Sequence, residues 1–558
     1  MKIFRIIFCL SALTFLMGVF SEMLLADNEV QDRREITEEI EVIKPYQPSI
    51  EDFRKIPSVP DETLDFPEAD YPEINITRTL EAAKDIKAPT PDIDPAPARD
   101  PVLDHLYDHY IRVGAGNYRN LLGEYYFNSG RSRDLYYSGH FKHNSGWGPL
   151  EYSNTGITSI DLTGKKILES SSIQANIDGD HEVYHYYGFG EGDVVDDPDE
   201  IRQHHNRFGA DFRWRSINNH NRVITYDVQP FYDYFSTRGN IFNNSAGTAF
   251  ELGWNLDNLT AHFDGDYIWD HYGLDDEDAD IDTSYHNHLL RTNPHVRFDR
   301  ENFELKLGMN IIRNQRDDES NYHFNPDIYF SYAVADDFLH LYTGITGQIR
   351  HNSHAKLAAE NPFLESTLLD IRNTNEKFEI FGGAKGTITN QLGFDLNIAY
   401  LNIEDLPFYK HAAPLNRYEV VYDQGTTTLL RIEADFEYDL RERIQLFLNG
   451  KYNEYQLSTL DEPFNRPTLE GSVKGRAGIT DDLSVNLEIH AMNDRYGTPH
   501  EDDISDGFVD LNAGASYKIS SHFSAFVETN NLLNNNYQIW HGYPVRGFHA
   551  LLGGTVQF

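Results

Sequence analysis

The stretch Leu429–Leu440 reads LLRIEADFEYDL, and from Leu430 onward its side chains alternate strictly between apolar and charged. Apolar or aromatic residues occupy positions 430, 432, 434, 436, 438 and 440, and charged residues occupy the five positions between them. Successive side chains of a β-strand point to opposite faces, so this period of two predicts a strand with one apolar and one charged face. Such a row of charges is unusual in a soluble sandwich and typical of a strand that separates lipid from a water-filled lumen.

The same alternation recurs along much of the chain, and strands of about 9–11 residues are long enough to cross a bilayer when tilted. Apolar residues occupy every second position in the segments 303–311, 392–400, 444–448, 469–477 and 483–489. Short turns are predicted at 336–337, 441–443, 480–482 and 520–522, and longer polar loops at 144–166, 191–202, 273–285, 351–372, 405–415, 457–466 and 496–506. Short periplasmic turns and long external loops are typical of outer-membrane barrels. We therefore predict that residues 104–558 form an all-β, transmembrane, antiparallel up-and-down β-barrel of about 22 strands (20–22).

The last strand of the predicted barrel carries its apolar face to the final residue. Leu552, Val556 and Phe558 share one parity of the segment HALLGGTVQF. A closed barrel has no free edges, so this strand is expected to pair with the first one. A terminal aromatic residue on such a strand resembles the signal by which the barrel-assembly machinery recognises its substrates. The three residues are therefore the candidate membrane-insertion signal.

Bulk composition excludes several classes of protein. The net charge of −42, from 47 basic and 89 acidic residues, disfavours nucleic acid as a partner. The 34 tyrosines and 34 phenylalanines are too many for a disordered chain. Mean hydropathy is −0.55, and no segment beyond the N-terminus approaches the roughly 18 apolar residues of a membrane helix. Nothing marks out a nucleophile with a placed base, so enzymatic activity is not expected.

Two segments precede the predicted barrel. Residues 1–26 carry Lys2 and Arg5 ahead of an apolar run and read as a signal peptide cleaved after Ser21 or Ala26, or else as a retained anchor. Residues 27–103 are acidic and proline-rich, which predicts an extended periplasmic leader that forms no core of its own.

The C-terminal segment Val527–Phe558 resembles the last two strands of a TonB-dependent receptor barrel. The matching elements are the NLLN corner Asn531–Asn534, Tyr537, the GYP sequence Gly542–Pro544, and Gly547. The segment 38–48, EEIEVIKPYQP, also resembles the short stretch with which such receptors engage TonB. Its candidate contact residues are Glu39, Ile40, Glu41, Val42 and Ile43. An arbitrary stretch of acidic leader remains the alternative, since strand addition requires only an extended, exposed segment.

This resemblance implies transport or uptake of an unidentified ligand across the outer membrane of a Gram-negative (diderm) bacterium. The implied partners are the lipid bilayer, the barrel-assembly machinery and TonB or another envelope protein. The family also carries a globular plug domain ahead of the barrel, for which residues 49–103 are too few and too rich in proline. A non-transporting scaffold that docks envelope proteins through the leader or the external loops is therefore the alternative.

Candidate ligand and metal residues follow from charge patterning. Arg431, Glu433, Asp435 and Glu437 occupy the charged face of the strand quoted above and are the candidate ligand residues of the lumen. In the acidic segment 274–284, Asp276, Asp278, Asp280 and Asp282 can supply oxygen ligands to Ca²⁺. The segment lacks the glycine of a known calcium loop, so a solvated loop is the alternative, and no other cofactor is expected.

Histidine is abundant, with 24 residues in the chain. Clusters occur at His204–His205, at positions 286 and 288, and at positions 351 and 354. Imidazoles near carboxylates can bind Zn²⁺ or Cu²⁺, but no cluster has the spacing of a structural zinc site. We interpret these histidines as hydrated residues of the loops or the lumen.

Overall fold

The computed structural model describes the chain from residue 107 to residue 558 with short gaps. The gaps are 131, 133, 149, 190–196, 218–222, 240, 257–258, 277–280, 301, 336–337, 366–369, 390, 413–415, 441–442 and 498–503. The predicted signal peptide, the proline-rich leader and the TonB-contact segment 38–48 lie outside the described residues and stay predictions.

Twenty-two antiparallel strands form one closed sheet, which confirms the predicted barrel. In chain order the strands are β1 His109–Gly116, β2 Leu121–Asn128, β3 Leu135–Gly146, β4 Thr155–Ile167, β5 Ser171–His185, β6 Arg202–Ser216, β7 Ile224–Thr237, β8 Ile241–Leu256, β9 Leu259–Asp276, β10 Ile281–Arg300, β11 Phe303–Arg316, β12 Glu319–Ala335, β13 Leu339–Arg350, β14 Thr374–Thr389, β15 Leu392–Glu404, β16 Thr427–Leu440, β17 Ile444–Gln456, β18 Leu469–Gly478, β19 Leu483–Met492, β20 Phe508–Lys518, β21 Phe523–Asn530 and β22 His549–Gln557. Each strand pairs with its neighbours in sequence.

The last strand closes the barrel by pairing with the first. Tyr110 is in register with Gln557, and Val113 with Gly554. Beyond the strand end, Phe558 and His109 exchange two backbone hydrogen bonds of 3.0 Å, and their rings stack with centroids 5.0 Å apart. The pairing predicted for the final strand is therefore confirmed, and the sheet has no free edge.

The two faces of the sheet differ as the sequence alternation requires. On β22, Leu552 is 66% exposed on the outer surface, whereas the adjacent Leu551 is buried inside against Leu122 and Phe526. Exposed apolar side chains recur around the outside and include Val113, Leu307, Met309, Phe324, Ile398 and Ile432. Such a surface is the one required for contact with hydrocarbon. Neither helix in the described part of the chain is long and apolar enough to cross a membrane.

Connections at the two ends of the barrel differ in length. The end that carries the start of β1 and the end of β22 has short turns, and the predicted turns at 480–482 and 520–522 lie there. The predicted turn at 336–337 and most of that at 441–443 fall outside the described residues. Most of the predicted long loops lie at the opposite end.

Two of the predicted loops are wrong. Within 144–166, β3 continues to Gly146 and β4 already begins at Thr155. Within 273–285, Asp276 is in register with Ile281, so the segment is the tip of a long hairpin. Strands that extend beyond a bilayer can be polar on both faces, so polar composition alone does not distinguish them from loops.

At the long-loop end, six loops pack on one another and are here named the loop cap. It comprises 186–201, 351–373, 405–426, 457–468, 493–507 and 531–548, with the gaps given above. Its elements are the helices α1 Pro198–Ile201 and α2 His354–Glu360 and three hairpins, Pro407–Ala412 with Arg417–Tyr422, Arg495–Tyr496 with Ile504–Ser505, and Gln538–Trp540 with Tyr543–Pro544. Aromatic side chains dominate the buried core under these elements.

Candidate functional site

The aromatic core of the loop cap joins loops that are distant in sequence. Phe363 and Tyr543 stack with ring centroids 3.5 Å apart. The phenol of Tyr186 donates to the carbonyl of Leu364 at 2.8 Å, and that of Tyr418 donates to the carbonyl of His541 at 2.8 Å. Buried phenols are retained where their hydroxyl finds a partner. These pairs therefore hold four of the loops together at the barrel mouth.

Tyr187 adds a fourth contact of the same kind. Its phenol donates to the carbonyl of Pro544 at 3.2 Å, and its own carbonyl accepts from the Asn416 side chain at 2.8 Å. Burial raises the pKa of Tyr187 to about 12, against the opposing charge of Arg546. The phenol therefore stays a neutral donor at any physiological pH.

Charged side chains add further links within the loop cap. Glu360, at the end of α2, accepts from the Tyr409 phenol at 2.6 Å and pairs with Arg466. Arg466 also donates to the carbonyl of Pro407 at 2.8 Å. Arg495 donates to two carbonyls of loop 531–548, at 2.6 and 2.7 Å. Arg466 thus links three loops, and Arg495 links two others.

A buried polar network fastens loop 351–373 to the barrel wall. Asp270 on β9 is fully buried and lies 2.8 Å from Nε2 of His351. Ser245 donates to the same carboxylate, and Asn287 lies 3.4 Å from it. Nζ of Lys356, whose pKa is lowered by burial, is 3.2 Å from Nδ1 of His351. These groups position α2 over the lumen.

A cavity of about 350 Å³ lies directly beneath the loop cap, between the cap and the upper barrel wall. Its charged lining comprises the cations Arg350, Arg431, Lys451, Arg466 and Arg495 and the carboxylates Glu360, Glu376 and Glu470. Trp540 and Tyr455 add aromatic surface. The lining therefore carries an excess of positive charge, although the whole chain has a net charge of −42.

The hydrogen-bonding capacity of this cavity is only partly used. Within the described residues, Nε of Arg431, Arg466 and Arg495 has no hydrogen-bond partner. Leaving a buried donor unpaired costs about 1–3 kcal/mol. Because these Nε atoms are buried, a bound group with several acceptor oxygens would recover that free energy only when the guanidinium groups turn towards it. The cavity can therefore bind an anion through guanidinium groups.

The four predicted lumen residues lie along one strand at increasing distance from the loop cap. Arg431 lines the cavity. Glu433 lies 3.3 Å from Nζ of Lys451, and Asp435 accepts from the side chain of Asn449 at 2.6 Å. Glu437 follows on the same face towards the short-turn end. Their role in ligand binding stays a prediction.

Sequence reasoning missed the other arginines of the cavity. Arg466 and Arg495 lie in loops, where no periodicity indicates which way a side chain points. Their proximity to Arg431 depends on how the loops fold back over the lumen, and no local signal in the sequence carries that information.

The predicted calcium residues lie at the tip of the β9–β10 hairpin. Asp276 ends β9, and Asp282 is the second residue of β10. Asp278 and Asp280 are outside the described residues, so calcium binding stays a prediction.

The terminal residues of the predicted insertion signal lie on the outer surface. Leu552 and Phe558 are exposed there, and Val556 is half-buried on the same face. Recognition of these residues by the barrel-assembly machinery stays a prediction.

No protein-family model and no curated protein matches the sequence. Solved structures do match the fold. The FrpB iron transporter from Neisseria meningitidis, in its apoprotein form, is similar with a TM-score of 0.65 and 10% identity over 82% of each chain. The copper transporter OprC is similar with a TM-score of 0.61 and 12% identity, over 81% of this chain and 82% of that chain.

The pyoverdine outer membrane receptor FpvA from Pseudomonas aeruginosa PAO1 is also similar. Its TM-score is 0.61 at 12% identity, over 82% of this chain and 79% of that chain. At such low identities the likeness concerns the fold. The chain therefore has the 22-stranded outer-membrane barrel fold of TonB-dependent receptors, as its sequence predicts.

Proposed function

We propose that this protein is an outer-membrane receptor barrel that binds a small anionic ligand beneath its loop cap and takes it up across the outer membrane. The observation that carries the proposal is the cavity in which Arg431, Arg466 and Arg495 each keep an unpaired Nε. The similar solved structures support transport, since they are described as a copper transporter, an iron transporter and a pyoverdine receptor. No feature of the described residues favours the scaffold alternative.

The chemistry of the cavity defines the ligand class. A guanidinium group presents a planar fork of donors that matches carboxylate and phosphate oxygens. The lining has five cations and three carboxylates, and Glu433 pairs with one of these cations, Lys451, so an anionic ligand balances the remaining positive charge. A cavity of about 350 Å³ is at the small end of typical ligand pockets. We therefore expect a small anion with carboxylate or phosphate groups.

We propose that the loop cap opens when a ligand enters. The tyrosine–carbonyl bonds and the arginine links described above join loops at the mouth of the barrel, so opening breaks them. Residues 38–48 are the proposed contact for TonB, and the leader 27–103 is the proposed periplasmic segment. The lipid bilayer and the barrel-assembly machinery are the other proposed partners.

The binding step is tested with the full-length protein purified in detergent. Calorimetric titration with citrate and with diphosphate compares the wild type with Arg431→Gln. Loss of one charge-assisted hydrogen bond corresponds to about 1.5–3 kcal/mol, or roughly a 10- to 100-fold weaker Kd. Lys474→Gln is the matched control, because Lys474 pairs with Glu488 at 3.0 Å on the barrel wall outside the cavity. Failure of both anions to bind, or equal losses in the two variants, contradicts the proposal.

The transport step is tested separately in cells. Uptake of the radiolabelled anion that binds best is compared between the full chain and a variant lacking residues 38–48. We expect uptake to be lost while binding to the purified variant is retained. Unchanged uptake removes TonB from the proposal.

A further inference from the structure

A second cluster of chemically active side chains lies on the lumen wall, away from the cavity. His262 and Asp264 belong to β9 and His295 to β10, and His262 is in register with His295. The two imidazole rings stack in parallel, 4.8 Å between centroids at an angle of 4°. Each of the three residues offers one ligand atom, and these atoms lie within 4.8 Å of one another. Among the described residues, this is the group of three that can hold a metal ion.

Two polar atoms of the cluster are buried without a partner. The side chain of His295 is 2% exposed, and its Nδ1 lies 3.3 Å from the carbonyl of Asn293. Donation to that carbonyl leaves Nε2 with a free lone pair, and Nε2 has no hydrogen-bond partner in the described part of the chain. The same holds for Oδ1 of Asp264. Buried polar atoms in native proteins are normally paired, so these two require an explanation.

A bound metal ion supplies that explanation. A metal-binding histidine usually donates its other ring nitrogen to a carbonyl or carboxylate, as His295 does to Asn293. Two imidazoles and one carboxylate form a donor set that transition metals bind with positions left open. Ligand atoms about 2.0–2.2 Å from an ion are nearer to each other than 4.8 Å, so the side chains must rotate inwards on binding.

The neighbouring charges are mixed. Glu251 adds negative charge next to Asp264, and Lys306 and Arg297 add positive charge. Lys306 forms a salt bridge with Asp327 at 2.5 Å, and the charge of Asp327 offsets the repulsion between Lys306 and a bound cation. Calcium is not the expected ion, because it prefers six to eight oxygen ligands, whereas imidazole suits Zn²⁺, Cu²⁺ and similar ions.

We propose that His262, Asp264 and His295 bind a divalent transition-metal ion of the Zn²⁺ class on the lumen wall, in the half of the barrel with the short turns. Water completes the coordination. This site is independent of the arginine cavity and of its anionic ligand.

The test uses the full-length protein in detergent, stripped with EDTA and dialysed against micromolar ZnCl₂. We expect one Zn²⁺ per chain in the wild type, and at least a tenfold weaker Kd in His295→Ala and in Asp264→Asn. Substitution with Co²⁺ should give visible absorption bands that both variants lose. Folding of each variant is checked by the resistance of the barrel to SDS without heating.

His286→Ala is the matched control. His271 and His286 lie on the same two strands and stack with centroids 4.6 Å apart, but they are not part of a three-residue metal group. We expect this variant to bind Zn²⁺ like the wild type. Absence of stoichiometric Zn²⁺ in the wild type overturns the proposal, as does equal affinity in all four proteins or a loss in His286→Ala that matches that in His295→Ala. If His295→Ala fails to fold, His262→Gln and Asp264→Asn decide the outcome.

Discussion

Replacement of Asp270 by alanine should release loop 351–373 from the barrel wall. The fully buried carboxylate accepts from Ser245 and lies 2.8 Å from Nε2 of His351. Its removal leaves the hydroxyl hydrogen of Ser245 and Nε2 of His351 without their acceptor, at a cost of about 1–3 kcal/mol each. We take about 3 kcal/mol as the expected loss in the free energy that holds the loop docked. Because about 1.4 kcal/mol corresponds to a factor of ten, the undocked population should rise roughly a hundredfold.

Hydrogen exchange of the α2 amides measures this change. The N–H of Leu357 bonds to the carbonyl of Ser353 at 3.0 Å, and that of Asn361 bonds to the carbonyl of Leu357 at 2.9 Å. Both amides are exposed to solvent when the loop undocks, so their exchange should accelerate about a hundredfold in Asp270→Ala. Exchange in β9 and β10 should change far less if the barrel itself stays folded.

Two further variants make this prediction refutable. His351→Ala removes the other partner and should accelerate exchange in α2 to a similar extent. Asp435→Asn changes a lumen carboxylate that accepts from Asn449 and is remote from this loop, so it should leave α2 unchanged. Exchange in α2 that differs less than twofold between Asp270→Ala and the wild type would refute the anchoring role.

Three other predictions concern the loop cap and the barrel seam. Burial lowers the pKa of His354 to about 3, so the docked state of loop 351–373 favours the neutral imidazole. The contribution of this imidazole to docking is complete above the unfolded pKa of 6.5. It decreases as the pH falls below that value, by about 2 kcal/mol at pH 5. Exchange in α2, corrected for intrinsic rates, should therefore rise about 30-fold from pH 7 to pH 5, and a flat profile contradicts this. Arg495→Gln loses two hydrogen bonds to buried carbonyls of loop 531–548, so limited proteolysis should cleave this loop about tenfold faster. An unchanged cleavage rate would show that other contacts hold the loop. A Cβ atom at Gly553 would lie 2.2 Å from the Val113 carbonyl oxygen, whereas one at Gly164 would have no atom within 4 Å. Gly553→Val should therefore reduce the SDS-resistant folded fraction severalfold, and Gly164→Val should leave it unchanged.

The barrel could be predicted from the sequence because each strand carries its own evidence. The alternation over Leu429–Leu440 arises because the two faces of one strand meet different surroundings, so it is visible in the sequence without knowledge of the neighbouring strands. The polar ends of β3 and β4, near Gly146 and Thr155, were predicted as part of a loop, because above the bilayer neither face of a strand has to be apolar. The predicted count of about 22 strands (20–22) agrees with the 22 strands of the sheet.

The sites could be predicted only in part. Arg431 was identified because it belongs to a regular strand, whereas Arg466 and Arg495 reach the same cavity from loops. His262 and His295 are far apart in sequence and become neighbours through the register of β9 and β10, which alternation does not specify. Register and loop folding depend on contacts between distant residues, and a single sequence does not display them.

The seam between β1 and β22 also determines when the barrel is complete during folding. Tyr110 and Gln557 are in register although they lie near opposite ends of the chain, so this contact is among the most non-local in the molecule. Non-local pairing forms late and slowly, because the entropy of closing the intervening chain must be overcome first. Until closure, both strands present unpaired amide and carbonyl groups that hydrocarbon cannot satisfy. The eight and nine residues of these two strands are therefore the place where a half-inserted chain is most exposed to misassembly.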